Sequence, residues 1–365
     1  MQVRLDKRAR IIDEGGQAYP VDLLRDHTLK QIREKYTDEA GELTLEVGEE
    51  VPDDVVTIGG RVMFLRNTGK LCFTSLQDGF TESSNGERLQ VMLSKALVGE
   101  QALAAWKSDV DLGDFVWVKG FVARSRRGEL SVMATEWKMA SKALRPLPTL
   151  HKELGEETRV RRRYADLVAR EEARQMVRVR AAITRAIRTT LDELGFLEIE
   201  TPILQLVHGG AAARPFNTHL NAFDIGMSLR IALELYLKRA MVGGMDRVYE
   251  MGRVFRNEGI DSNHSAEFTM LEAYMSWGNQ FTIAEVIQQI IVRAADALGG
   301  RQIQTEQGVI DLDGQWEWVH VHPELSRRLG REITLDTPVE ELRAIAAEHD
   351  VEIDPAWEAG KIVME

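Results

Sequence analysis

Val56-Thr57-Ile58-Gly59-Gly60-Arg61-Val62-Met63, Leu71-Cys72-Phe73-Thr74-Ser75-Leu76 and Leu89-Gln90-Val91-Met92-Leu93 are short runs in which apolar residues alternate with polar or small ones. Asp114-Phe115-Val116-Trp117-Val118-Lys119-Gly120-Phe121-Val122 and Leu130-Ser131-Val132-Met133-Ala134-Thr135-Glu136-Trp137 continue the pattern. Period two is that of a strand with one buried face. Gly69, Gly86 and Gly128 fall between runs as turn residues, and a helical pattern from Gly99 to Ser108 separates the third run from the fourth.

Five strands with a helix between the third and fourth describe a small Greek-key barrel of the OB type, here given residues 55–143. Such barrels often bind single-stranded nucleic acid by stacking bases on aromatics; a barrel with no such role fits the pattern equally. Upstream, residues 1–54 read as a charged helical extension broken at Tyr19-Pro20 and followed by an acidic loop, Asp38 to Asp54. Downstream, Leu144-Arg145-Pro146-Leu147-Pro148 can continue neither strand nor helix and opens a linker, residues 144–169. Residues 170–365 form a second domain. Its first helix runs from about Arg170 to Leu194, with Met176, Val179, Ile183, Ile187 and Leu191 at helical spacing. After Gly195, Phe196-Leu197-Glu198-Ile199-Glu200-Thr201-Pro202 reads as a strand ended by proline, and a further helix is expected near Thr282 to Leu298.

Composition narrows the function. With 44% hydrophobic and 28% charged residues in 365, the chain can bury a core and is not a disordered polymer. Its single cysteine, Cys72, excludes a disulfide framework and fits a reducing cytoplasm. No apolar run reaches the ~20 residues that span a bilayer, so no membrane role is expected. The net charge is −12, yet residues 121–188 carry 17 Lys/Arg against 8 Asp/Glu, a local +9. A basic tract in an acidic protein can track a phosphate backbone. Equally, Arg159, Arg161, Arg162 and Arg163 can be a solvated helix face with ordinary ion pairs.

Between Leu194 and Tyr274 the sequence becomes specific. Arg253-Val254-Phe255-Arg256-Asn257-Glu258-Gly259, then His264, then Glu267-Phe268-Thr269-Met270-Leu271-Glu272-Ala273-Tyr274, resembles the second motif of class II aminoacyl-tRNA synthetases. The long helix, Gly195 and the segment to Pro202 resemble the first motif, the family's dimer interface. Gly209-Gly210-Ala211-Ala212-Ala213-Arg214-Pro215-Phe216, Leu229-Arg230-Ile231-Ala232, Glu234-Leu235-Tyr236-Leu237-Lys238-Arg239, Leu76-Gln77-Asp78 and Lys142-Ala143-Leu144-Arg145-Pro146-Leu147-Pro148 narrow the resemblance to the lysyl member.

That resemblance implies an α+β chain: an OB-type barrel followed by a class II antiparallel-sheet catalytic domain. It implies activation of L-lysine with ATP and Mg2+, transfer to lysine tRNA, and a cytoplasmic homodimer. Arg256 is the expected catalytic residue, bridging the lysine carboxylate and the α-phosphate, a task suited to a planar, always-charged guanidinium. Glu258 is expected on the adenine amino group, Phe268 on the adenine face and His264 near the outer phosphates. Phe268 as plain core and His264 as plain surface remain open. For lysine, Glu234, Glu272 and the Gly210 carbonyl are expected around the α-amino group, with Tyr274 accepting from the ε-amine; Glu234 also reads as a first-turn helix acid. In the barrel, Phe73 is expected to stack a base, with Gln90 and Glu129 as base-edge readers in an anticodon pocket. Phe73 as inward core remains open.

Two departures accompany the resemblance: Leu233 stands where the family usually has proline, and Ser265-Ala266 where it has Asn-Pro. The family's third motif, the magnesium-holding acidic pair and the residues that finish the lysine pocket are not found from Ala295 to Glu365. No metal ligand is therefore expected here, and the catalytic domain reads as truncated. Two classes of function stay open: a lysine–tRNA ligase, or a tRNA-binding paralogue that cannot activate lysine. Lysine transfer to lipid, a third class, usually involves added membrane spans.

Overall fold

The computed structural model describes residues 1–148, 154–261 and 263–365. They fall into two compact units, Met1–Gly299 and Gly300–Glu365. Residues 149–153 of the expected linker lie outside the described residues; helices Glu156–Arg161 and Arg163–Ala169 occupy the linker's second half.

Five strands, β1 (Glu50–Thr68), β2 (Leu71–Gln77), β3 (Arg88–Ser94), β4 (Phe115–Arg124) and β5 (Leu130–Ser141), close a barrel in the order β1-β2-β3-β5-β4. All neighbours are antiparallel except β3 and β5. β1 serves both β4 and β2, and a register shift between Val62 and Phe64 bends it at the changeover. Ile58, Leu76, Leu93, Val118 and Val132 fill the interior. Helix Glu100–Asp109 closes one end, setting Trp106 edge-on to Trp137 with centroids 5.1 Å apart. Gly120 sits where β4 shifts register against β5, and a Cβ there would run into the Met133 carbonyl. The acidic loop is shorter than expected. β1 begins at Glu50, taking Pro52 into a bulge between Val51 and Val55, where a missing N–H costs no ladder bond.

The second sheet of this unit is built from β10 (Arg247–Phe255) and β11 (Glu267–Met275), antiparallel, with β6 (Leu197–Glu198) parallel to the other edge of β10. The expected strand to Pro202 thus shrinks to two paired residues; the chain leaves β10 once Ile199 has donated to the Tyr249 carbonyl. A smaller sheet orders β7 (Leu204–Gln205), β9 (Ile225–Leu229) and β8 (Asn217–Leu220). Helices Glu171–Glu193 and Gln280–Asp296 cover one face of β10 and β11, with Ile187, Leu191 and Val286 around Tyr249. Met176, expected in the same apolar stripe, is exposed instead. Helix Glu234–Val242 meets the other face through Leu233 and Leu237. In the second unit, Ile333, Leu342, Ile345 and Ile362 make a small core among helices Val321–Leu329, Val339–Glu348 and Ala359–Val363.

Where β5 ends, Lys142 is fully buried. Its Nζ lies 2.6 Å from Asp111, 2.7 Å from Asp114 and 2.7 Å from the Asp109 carbonyl. Lys7 reaches Asp111 at 2.7 Å and Arg10 pairs with Asp109, so one acidic turn ties helix Gln2–Asp13 and the exit of the barrel together. Burial works against the Asp111 charge, but hydrogen bonds and charge from Lys142 and Lys7 prevail and hold its pKa below the ordinary carboxylate value. A depressed folded pKa stabilises above the unfolded value of about 4 and is lost as acid titrates the folded group. Lys142→Met, which strands the buried Asp114, is expected to cost about 3–5 kcal/mol in urea denaturation. Asp111→Asn is expected to flatten the acid limb of stability below about pH 4.

Candidate functional site

Cross-strand register decides which side chains share a face. Val248↔Tyr274, Glu250↔Glu272, Gly252↔Met270 and Val254↔Phe268 are partners. Their face meets helix Glu234–Val242, while Tyr249, Leu271, Ala273 and Met275 point to the two long helices. Phe268, Glu272 and Tyr274 therefore emerge on one side of β11.

Glu272 is held at both oxygens. Oε1 accepts from the Leu233 amide at 2.9 Å, and Oε2 accepts from the Tyr274 hydroxyl at 2.8 Å. A proline at 233, the family's usual residue, would have no N–H to give. Burial first, then the bond to Glu272 and the charges of Glu272 and Glu234, push the Tyr274 phenol well above its ordinary value. Its proton stays on, committed to Glu272, and its lone pairs remain to accept. Glu234 opens its helix half-buried, paired with Lys238 one turn on at 2.7 Å; that ammonium also lies 5.9 Å from the centre of the Tyr274 ring. Gly210 packs directly on Glu234: at φ +87° it is in the left-handed region, and a Cβ would come within 2.7 Å of Glu234 Cβ. Gly210, Glu234, Glu272 and Tyr274 thus form one acceptor-rich cluster, the complement of an ammonium ligand.

At the end of β10, Arg256 donates from Nε to the Ile231 carbonyl at 3.3 Å, and its guanidinium lies 5.2 Å from the centre of the Phe268 ring. Phe268 is half-buried, packed against the cluster of Leu233 and Val254. Glu258 and His264 are exposed in the loop that follows, and no contact joins them to the acceptor cluster. His264 Nδ1 sits 2.7 Å from Asp261, whose carboxyl is held below its usual range by the Asn263 amide and then by His264. Sequence reading gave no role to the buried pair on the same face. Arg230 and Glu250, each 3% exposed, pair at 2.5 Å, with Thr201 donating to Glu250 at 2.6 Å. The available signal was one opposite charge in each of two otherwise apolar runs, since buried charges come paired.

On the barrel, Cys72, Thr74 and Leu76 are buried and Phe73 lies half-buried on the opposite, outward face of β2, so it is not interior core. Gln90 accepts from the Ser131 hydroxyl at 3.0 Å, and the same hydroxyl lies 3.0 Å from the Glu129 carbonyl, bringing the two expected base readers together. Register puts Phe73 opposite Met92, two residues along β3 from Gln90, and opposite Arg66 on β1. Phe64, 53% exposed, sits beside this surface and was not singled out in the sequence.

Among the described residues no three His, Cys, Asp or Glu side chains converge as a metal site, so no chemical step is assigned to magnesium here. Nor is any helix among them long and apolar enough to cross a membrane.

Residues 155–357 match the family of class II tRNA synthetases (D, K and N), and residues 56–140 match the OB-fold nucleic acid binding domain. A lysine–tRNA ligase of Kineococcus radiotolerans is 54% identical over the whole of this chain, which spans 71% of that protein. One from Mycobacterium bovis is 53% identical over 97% of this chain and 68% of its own length. The lysylphosphatidylglycerol biosynthesis bifunctional protein LysX of Rhodococcus jostii is 39% identical over all of this chain but 32% of its own. An OB barrel, a motif hairpin bearing Arg256, and these relatives agree: the chain belongs to the class II lysyl-tRNA synthetases, the enzymes that aminoacylate tRNA with lysine.

Proposed function

We propose that the acceptor cluster binds L-lysine beside an ATP site, that the two react to lysyl-adenylate, and that the barrel reads the anticodon of lysine tRNA in a cytoplasmic homodimer. The observation that carries the lysine reading is the convergence of Gly210, Glu234, Glu272 and Tyr274. Two carboxylates, a phenol oxygen and a carbonyl suit a ligand with two ammonium groups better than one with a side-chain carboxylate. The Tyr274–Glu272 bond supports a regrouping of the expected roles, in which these two take one amine and Gly210 with Glu234 the other. Arg256 meets the lysine carboxylate and the α-phosphate, drawing two anions together and offsetting charge that develops on phosphorus. Phe268 stacks on adenine, and Glu258 and His264 come to the adenine amino group and outer phosphates as the exposed loop closes on the nucleotide.

Lysine-dependent exchange of pyrophosphate into ATP tests this reading, with the chain alone and supplemented by the family's third-motif segment. Exchange by the supplemented chain, lowered about 10²–10³-fold by Arg256→Ala, is expected. Exchange untouched by Arg256→Ala removes that residue from its role, and no exchange from the supplemented chain leaves the tRNA-binding alternative.

The barrel reading predicts binding of lysine tRNA that weakens as salt rises. Phe73→Ala should reduce it by about 1–3 kcal/mol with the thermal melt unchanged, because the ring stands outside the core; unchanged binding in a filter or calorimetric assay rejects the stacking role.

For assembly, Met176, Val177 and Leu197 are 60%, 39% and 60% exposed along the segment expected at a two-fold interface, and the exposed Leu206 and Val207 follow just beyond its end at Pro202. Isolated apolar side chains need no explanation, but a run of them on the first-motif segment favours self-association. Light scattering at micromolar concentration should give the mass of a dimer, and a clean monomer would count against that interface.

A further inference from the structure

Arg230 and Glu250 have no place in the roles above, yet the frame of the site passes through them. The Arg230 guanidinium reaches Glu250 at 2.5 Å, the Thr201 carbonyl at 3.0 Å and hydroxyl at 3.2 Å, and the Arg253 carbonyl at 2.8 Å. Gly252 is the residue it passes: a Cβ there would run into the guanidinium. Its backbone is equally committed, the amide donating to the Ile203 carbonyl at 2.9 Å and the carbonyl accepting from Phe255 at 2.9 Å. The next residue, Ile231, supplies the carbonyl to which Arg256 donates. Arg230 therefore touches the chain immediately before Arg256 on two sides, and its neighbour touches Arg256 itself.

We propose that Arg230 is a positioning residue that acts through Arg256. Fixing the Arg253 and Ile231 carbonyls holds the Arg256 guanidinium where carboxylate and phosphate meet, and so removes orientation cost before either ligand arrives. The inference rests on the reading of Arg256 as the ligand-facing cation. Four acceptors on three residues, in different directions, require the planar fork of arginine, which a lysine ammonium reaches as a single point. A buried ion pair is a weak source of stability compared with apolar residues of the same size, so the pair is better explained by orientation than by holding the fold.

A double-mutant cycle tests the proposal on the 365-residue chain, with ATP affinity read by calorimetry and folding by thermal melts of the same samples. Arg230→Lys is expected to weaken ATP about tenfold. Combined with Arg256→Ala it should bind no more weakly than Arg256→Ala alone, because the two losses are one interaction. Arg230→Met with Glu250→Leu, which replaces the pair by apolar side chains, guards against misfolding; a cooperative melt with the same tenfold loss supports positioning. Wild-type affinity in that folded variant, or losses that multiply in the cycle, overturns it as a purely structural pair. Wild-type affinity in Arg256→Ala instead overturns the reading of Arg256, and the inference falls with it; the cycle thus tells the two failures apart.

Discussion

Nine cross-strand pairs, from Arg247↔Met275 to Phe255↔Glu267, fix which residues of the catalytic sheet share a face. A slip of one residue would send Phe268, Glu272 and Tyr274 to the helices and bring Thr269, Leu271 and Ala273 to the pocket. Burial forbids that slip. Tyr249 and Leu271 are claimed by Leu191, Phe196 and Val286 on one face, and Val248 and Val254 by Leu233 and Leu237 on the other. Two apolar layers thus set the register, and the register places the polar residues, so the chemistry depends on packing that carries no charge.

The same face collects carboxylates, which raises a problem the structure answers locally. Glu250 and Glu272 are direct partners in the ladder, and like charges opposite one another are unfavourable. Each is satisfied separately: Glu250 by Arg230 and Thr201, Glu272 by an amide and a phenol. Among the described residues Glu250 is paired with a buried cation, whereas the partners of Glu272 are two neutral donors. Leu233 contributes one of those donors, an N–H that a proline at that position would lack.

The barrel was legible because period two survives in a strand with one wet face, and the turn glycines punctuate it at positive φ: Gly69 +51°, Gly86 +88° and Gly128 +89°. The side of Phe73 followed from Cys72 and Thr74, yet a single aromatic in an alternating run gives no phase until its neighbours' burial is known. The first-motif strand was less legible. Apolar residues from Phe196 to Ile199 look extended, but only β10 offers an edge, and it takes just two residues in register. The role of Arg230 was less legible for a different reason: a lone charge in an apolar run signals a buried pair but not its partner, which lies twenty residues on.

Charge distribution gives the last constraint. The basic tract from 121 to 188 promised phosphate contacts, but much of it is committed inside the protein. Arg163 and Arg170 meet Asp166, Arg174 donates to the carbonyls of Asn85 and Leu167, and Arg178 donates to Glu82, which Arg185 also pairs. Arg188 meets Glu198. Arg174, Arg178 and Arg185 tie the loop between β2 and β3 to helix Glu171–Glu193 within one unit. Of the four arginines that also read as a solvated face, Arg161 pairs with Glu157 and Arg163 with Asp166, as ordinary ion pairs would. An arginine already paired with a carboxylate has less charge to offer an approaching polyanion, so these pairs should add little to salt dependence. Arg126 and Arg127, exposed in the turn beside Glu129, are better placed to meet a phosphate backbone near the expected anticodon surface. A net charge of −12 opposes long-range attraction of a polyanion, so the proposed anticodon contact would rest on such a local patch and suits a splayed loop better than a duplex.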